Sequence, residues 1–456
     1  MSDHLRAHDA AMQRLQGLHL KKIDLSLGRM LGLLDALGRP QDRLPPVIHV
    51  AGTNGKGSTS AFLRAMAEAD GLRTHVLTSP HLVRFAERIR LAGTLIGDDA
   101  LADVLARVEA ANAGQPITFF EIVTAASLVA FAETPADLLV LEVGLGGRFD
   151  ATNVIAAPAV SVITPVDYDH KEFLGEDLGG IAGEKAGIIK AGRPVVSARQ
   201  AEAADHVIEA EAQRLGAPLA LMGREFDAWD ERGRMLYQDQ ERLLDLPLPS
   251  LVGPHQIANA GLAVAAALKF GMGEDAIARG VTGAVWPARM QRLTKGPYGE
   301  MARARGSDLW LDGGHNPHGA RAIAQTLEAL ARDGRPLALV AGTLANKDAV
   351  GFFSAFKALN PKVYATGFEA DAAASAQQTA DAARAAGLDA ESCGYPQDAV
   401  RRALDVQGAP YCVLGIAAGL RVESRRPRGV GGLLGARRRL GLEAGGVDLG
   451  VERLER

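Results

Sequence analysis

Seven consecutive residues, Gly52-Thr53-Asn54-Gly55-Lys56-Gly57-Ser58, carry the strongest chemical signal in the chain. They follow an apolar run, PVIHVA at 46–51, and lead directly into a helical pattern from Ser58 to Ala69. Glycines at 52, 55 and 57 let backbone N–H groups turn toward an anion, and the helix N-terminus adds partial positive charge. Lys56 is placed to reach the outer phosphates of a nucleotide and Ser58 to ligate Mg²⁺, with Thr53, Asn54 and Thr59 completing the stretch. The spacing departs from the common G-x-x-x-x-G-K-[ST], because Gly57 separates Lys56 from Ser58. Glu142 closes a second apolar run, DLLVLEV at 137–143. A carboxylate there needs a cation or a hydrogen-bond partner, and a parallel strand's C-terminal end faces a ligand crevice. His170, in DYDH, follows another strand end and by itself reads as a hydrogen-bonded structural residue. Lys185, next to Glu184, by itself reads as a surface lysine in an ion pair. Gly144 and Gly146 suggest a dinucleotide fingerprint, but Phe149 stands where its third glycine belongs, so hydride chemistry is not indicated.

The elements that must hold these residues alternate between short β-rich runs and Ala/Leu-rich helical stretches. Strands are expected at 46–51, 76–78, 137–143, 157–164 and 194–198, with a hairpin over 82–97. Helices are expected at 98–112, 119–133, 178–190, 202–215 and 255–270. This is the pattern of a mostly parallel sheet covered on both faces. WPARMQRLTKGPYGE, from 286, reads as a linker. After it come strands at 308–312, 336–342 and 362–366, and helices at 317–332, 347–359, 375–387 and 396–406. The fold class is α/β: a P-loop-containing, mostly parallel sheet domain followed by a smaller Rossmann-like α/β domain. A chain of 456 residues is long enough for both.

Composition excludes several classes. The formal charge of −4 gives no basic excess for a nucleic-acid backbone. Hydrophobic residues at 47% exclude global disorder. Two cysteines, Cys393 and Cys412, cannot build a disulfide framework. With no signal-peptide core in MSDHLRAHDA and no apolar run of membrane-spanning length, a cytoplasmic monomer without a membrane or nucleic-acid partner is expected.

GTNGKGS resembles the ATP loop of the Mur ligase superfamily, in its dihydrofolate synthase/folylpolyglutamate synthase branch. TSPHL (78–82), TFFE (118–121), LEVGLGGRFDATNV (141–154), DHKEFLG (169–175), GEKAGIIK (183–190), GPHQIANA (253–260), WPARMQ (286–291) and DGGHNP (312–317) follow in the family's order. The resemblance implies ATP-dependent amide formation: a folate-type carboxylate is phosphorylated by ATP, and L-glutamate then attacks the acyl phosphate. It implies two Mg²⁺ ions, held by Ser58, Glu142, His170 and a Lys185 carbamylated by CO₂. Nucleotide contacts are implied for Asn259, Arg289, Asp312 and His315, and catalytic roles for Lys56, Lys185, His170 and Arg289. For dihydropteroate or a reduced folate, Ser79, His81, Phe119, Phe120, Arg148, Asp150 and Thr152 are the implied contacts. Arg148 and Asp150 are equally readable as partners in a loop salt bridge. The implied domains are 1–288, central and binding ATP and pterin; 289–420, the C-terminal ligase domain that binds glutamate and completes the ATP site; and a tail from 421 to 456. A Mur-type ligase for another carboxylate, and an inactive nucleotide-binding homologue, are the competing readings.

Three departures from the family stand out. Ala288 replaces a usual glycine in WPARMQ, and Gly314 a usual alanine in DGGHNP. From Arg421 the chain holds nine arginines, eight glycines and no aromatic residue, where the family places a final helix. The tail reads as a shifted reading frame, a disordered extension or a basic arm. Truncation at about residue 420 is expected to leave ATP affinity intact by titration calorimetry; a large loss would show that the tail belongs to the site.

Overall fold

The computed structural model describes residue 24 and residues 26–331, 333–368, 370, 372–408 and 411–416. The expected tail and the start of the first domain lie outside them. The chain separates into two compact units, Met1–Trp286 and Pro287–Arg456. Among the described residues no helix is long and apolar enough to cross a membrane.

Eight strands form the sheet of the first unit: β1 (Val47–Ala51), β2 (Thr74–Leu77), β3 (Ile89–Leu91), β4 (Thr94–Leu95), β5 (Leu138–Glu142), β6 (Val160–Ile163), β7 (Val195–Ser197) and β8 (Leu219–Leu221). Their spatial order is β4-β3-β2-β5-β1-β6-β7-β8. Only the β2-β3-β4 edge is antiparallel; the remaining pairs are parallel. Every residue of β1, β5 and β6 is buried, because side chains alternate between two covered faces. Ile48, Val50, Leu138 and Val140 pack with helices Lys56–Ala69, Pro254–Phe270 and Glu274–Gly283. Val47, Leu139 and Leu141 pack with helices Gly28–Ala36, Asp98–Asn112 and Phe119–Glu133. The central position of β1 sends the phosphate loop out of the middle of the sheet.

Several expected elements differ. The helix expected at 178–190 stops at Ala186. A three-stranded antiparallel sheet, β9 (Phe226–Glu231), β10 (Arg234–Asp239) and β11 (Leu243–Pro247), was not expected at all. Its first turn is Arg232-Gly233, both with positive φ, a two-residue hairpin connection whose side chains carry little apolar signal. The helix Glu274–Gly283 was also missed.

In the second unit the strands are β12 (Gln291–Arg292), β13 (Asp308–Asp312), β14 (Leu337–Gly342), β15 (Lys362–Thr366), β16 (Ala390–Cys393) and β17 (Tyr411–Ile416), in the order β12-β13-β17-β14-β15-β16. All pairs but β12-β13 are parallel. The segment expected as a linker is therefore structured: it contains β12 and the start of helix Gly296–Ala304, which opens on Pro297. Strand β16 was missed, and the helix expected at 347–359 is a short helix, Ala349–Ser354, followed by a 3-10 turn, Lys357–Leu359.

Candidate active site

The phosphate loop has no spare room. A Cβ on Gly52 would stand 1.9 Å from Thr164 Oγ1, one on Gly55 2.5 Å from Asn259 Oδ1, and one on Gly57 2.8 Å from the Trp286 indole. Gly55, at φ 88, is the N-cap of helix Lys56–Ala69. The loop is tied to the exit of β6: the Thr53 and Asn54 amides donate to the Pro165 carbonyl at 2.9 and 3.2 Å. Thr53 Oγ1 donates to the Asp167 carbonyl at 2.8 Å and accepts from its amide at 3.0 Å. Lys56 Nζ lies back across its own loop, donating to the Gly52 and Thr53 carbonyls at 2.9 and 3.2 Å. Ser58 and Thr59 are buried in the first helical turn. Asn259 is buried and donates to Gln256 Oε1, so the expected nucleotide residue abuts the phosphate loop.

Lys185 is buried, contrary to its reading as a surface lysine. Burial pushes its amine down to about 7; Lys56 repels its charged form, while Asp169, Asp150 and Glu184 favour it. The chain packs closely against the backbone at this residue. A Cβ on Gly147 would come within 2.6 Å of the Glu184 carbonyl and 3.0 Å of Lys185 Cα; one on Gly187 would meet Arg148 Cα at 2.5 Å. Two glycines thus let the 144–153 loop lie flat on the helix that carries Lys185. His170 has left-handed backbone, φ 50, and its amide donates to Asp169 Oδ1 at 2.8 Å. A non-glycine residue held there marks a position set by its surroundings. Asp169 was passed over in the sequence, although DYDH contains it.

On the substrate side the structure joins TSPHL to TFFE. Thr118 and Glu121 form a reciprocal capping box, which sets Phe119 and Phe120 in the first turn of helix Phe119–Glu133. Phe120 packs on Gly144, where a Cβ would stand 2.4 Å from its ring. Phe85 contacts both His81 and Phe119 edge to face, at 5.6 and 6.1 Å. Ser79 is half-buried and precedes Pro80 through a cis peptide bond. Arg88 was missed by the sequence reading. Its Nε donates to His81 Nδ1 at 2.9 Å, and its guanidinium lies over Phe85. Burial pushes Arg88 down to about 10, against the fields of Glu142 and Glu87.

Three of the implied substrate residues make contacts within the protein. Asp150 and Thr152 are turned into their own loop: Asp150 accepts from the Leu145 amide at 2.8 Å, the Thr152 amide at 3.0 Å and Thr152 Oγ1 at 2.6 Å. Arg148 is exposed, donates to the Gly183 carbonyl, and lines a separate cleft of about 540 Å³ with Lys190, Glu211 and Arg214.

In the second unit, Asp312 is buried and ties a strand end to a turn: Oδ2 accepts from the Met290 amide at 2.8 Å and Oδ1 from the Gly314 amide at 2.7 Å. Burial raises its pKa, opposed by Arg289 and His315, so the three groups share one neighbourhood. The turn that carries Arg289 has left-handed backbone at Ala288, φ 54, and Met290, φ 40. This gives a physical reason for a glycine at 288. Gly314 has the opposite explanation: a Cβ there would meet Ile323 Cδ1 at 2.6 Å. Asn316 caps helix Pro317–Leu330.

No group of three or more His, Cys, Asp or Glu is placed to hold a metal among the described residues. Ser58 and Glu142 are buried oxygen donors. A short set of hard protein ligands is what Mg²⁺ takes when phosphate oxygens supply the rest, so these residues fit such an ion.

Two outcomes follow from this geometry. Between about 7 and 10.5, the ordinary lysine value, the unfolded chain holds a proton that folded Lys185 has released. Stability therefore rises with pH across that window. In urea melts Lys185→Met is expected to lose this rise and to be the more stable protein at pH 7. Ala288→Gly is expected to raise stability by about 1 kcal/mol, read from the urea midpoint, by relieving left-handed backbone.

Comparison with known proteins agrees with the two-unit division. The Mur ligase middle domain matches residues 50–267 and the Mur ligase glutamate ligase domain residues 289–419. The dihydrofolate synthase/folylpolyglutamate synthase of Mycobacterium tuberculosis is 39% identical over 377 residues, covering 76% of this chain and 74% of that protein. E. coli FolC in complex with DHPP and ADP superimposes with a TM-score of 0.81 at 32% identity, covering 90% of this chain and 94% of that one. The Yersinia pestis bifunctional folylpolyglutamate synthase/dihydrofolate synthase complexed with AMPPNP and Mn ion gives 0.80 at 30% identity, covering 90% and 95%. The chain belongs to the dihydrofolate synthase/folylpolyglutamate synthase branch of the Mur ligase family, and its activity is ATP-dependent ligation of glutamate in folate metabolism.

Proposed function

We propose that the chain joins L-glutamate to 7,8-dihydropteroate, to reduced folylpolyglutamate, or to both, through an acyl phosphate. The observation that carries this reading is the convergence of Lys56 and a buried Lys185 beside a glycine loop, next to an aromatic wall of Phe85, Phe119 and Phe120. The loop amides from Gly52 to Ser58 and the ammonium of Lys56 hold the nucleotide phosphates. A substrate carboxylate, oriented by Ser79, His81 and the aromatic wall, attacks the γ-phosphorus, and ADP leaves. The glutamate amine then attacks the acyl carbon, loses its proton, and inorganic phosphate departs. The protein's part is positioning and charge stabilisation, since phosphoryl transfer asks for little covalent help.

Ser58 and Glu142 would hold one Mg²⁺ together with phosphate oxygens, and His170 with carbamylated Lys185 a second. When bound, the ions offset charge developing on the transferred phosphoryl group. Burial favours the neutral amine of Lys185, which adds to CO₂ and releases one proton to give the carbamate. Arg289, Asp312 and His315 are proposed as further nucleotide contacts, with glutamate bound by the second unit. We read the protein as a cytoplasmic monomer without a nucleic-acid or membrane partner.

Side-by-side turnover with dihydropteroate and a reduced folate tests the proposal. Phosphate release is expected to require both L-glutamate and one of the two acceptors. Release equally fast without either would overturn the reading and leave a nucleotide hydrolase.

A further inference from the structure

His49 lies in the middle of β1, the strand that runs into the phosphate loop, and its side chain is completely buried. Its Nε2 is 2.9 Å from Thr152 Oγ1, which is itself 2.6 Å from Asp150 Oδ1. The direction of these bonds can be deduced. Burial pushes His49 down to about 3, with Lys190 adding repulsion, so the ring is neutral at ordinary pH and carries one N–H. Thr152 has a single hydroxyl proton, and Asp150 Oδ1 stands as an acceptor, since it also accepts from the Thr152 amide at 3.0 Å. That proton therefore goes to Asp150, and His49 Nε2–H must donate to Thr152 Oγ1. Nδ1 is then a bare lone pair, in keeping with its burial without a hydrogen-bond partner. The order is His49 to Thr152 to Asp150, and Asp150 in turn accepts from the Leu145 amide.

This chain joins two parts of the candidate site that are distant in sequence. One end is fixed in the strand that presents Gly52, and the other holds the 144–153 loop. That loop lies on the helix of Lys185 through Gly147. We propose that His49 is a positioning residue: it locks the 144–153 loop to the phosphate-loop strand, so that the loop keeps a fixed place on the helix that carries Lys185. The inference rests on the reading of the site given above. A buried histidine that merely fills the core would not need its Nε2–H.

The test compares His49→Leu, His49→Gln and Thr152→Val. Glutamine places an N–H near the Nε2 position; leucine removes it. His49→Leu is expected to lower kcat roughly 10-fold, the scale of one hydrogen bond, with KM for ATP changed by less than about 3-fold. His49→Gln is expected to recover most of that loss. Thr152→Val is expected to act in the same chain, so the double variant loses less than the product of the two single losses. Hydrogen exchange of the 144–153 segment reads the lock without turnover: faster exchange in His49→Leu than in His49→Gln is expected. Equal exchange and equal kcat in the two His49 variants would overturn the proposal. A parent enzyme without glutamate-dependent turnover would instead overturn the ligase reading, and the exchange comparison would still decide the role of His49.

Discussion

The flat packing of the 144–153 loop on helix Leu178–Ala186 is the constraint on which the site depends. It requires two residues without side chains, Gly147 against the Glu184 carbonyl and Gly187 against Arg148. Lys185 is buried under this packing, and loss of solvation lowers its pKa more than any neighbouring charge does. An amine that gives up its proton near pH 7, beside an ammonium, Lys56, and three carboxylates, is a chemically different group from an exposed lysine. The same loop carries Gly144, against which Phe120 rests, so one segment shapes both the amine and the aromatic wall.

The phosphate loop obeys a similar rule. Its glycines are required by approach as well as by conformation, each meeting a different part of the unit: Thr164 at the end of β6, Asn259 in a helix, and Trp286. Closely packed glycines preorganise backbone amides before an anion arrives, so less ordering cost falls on binding. In the second unit a buried carboxylate does the equivalent work. Asp312, at the end of β13, accepts from the Met290 amide of the Arg289 turn and from the Gly314 amide just beyond its own strand, and that turn tolerates left-handed backbone at Ala288 and Met290.

Much of this was legible in the chain. Buried parallel strands show as continuous apolar runs, and the capping box of TFFE, threonine followed three residues later by glutamate, places its helix start. The missed elements were those whose signal is weak in side-chain type. The 226–247 sheet is short, half-exposed and rich in charge, and the segment from Trp286 onward is dense in turn residues although it contains β12 and the start of a helix. Arg88 and Asp169 escaped notice because nothing local distinguishes an arginine or aspartate set among other charged and aromatic groups from a solvated one.

By itself the sequence determined the alternation of strands and helices, the glycine loop with its lysine and serine, and a run of motifs that resembles one ligase family. Those are properties of neighbours along the chain. Only the tertiary structure decided which charges are buried, that Lys185 is enclosed while Arg148 is not, and that Asp150 and Thr152 face inward toward His49, about a hundred positions away. Desolvation and hydrogen-bond direction depend on what surrounds a side chain in space, and that information exists only once the chain has folded.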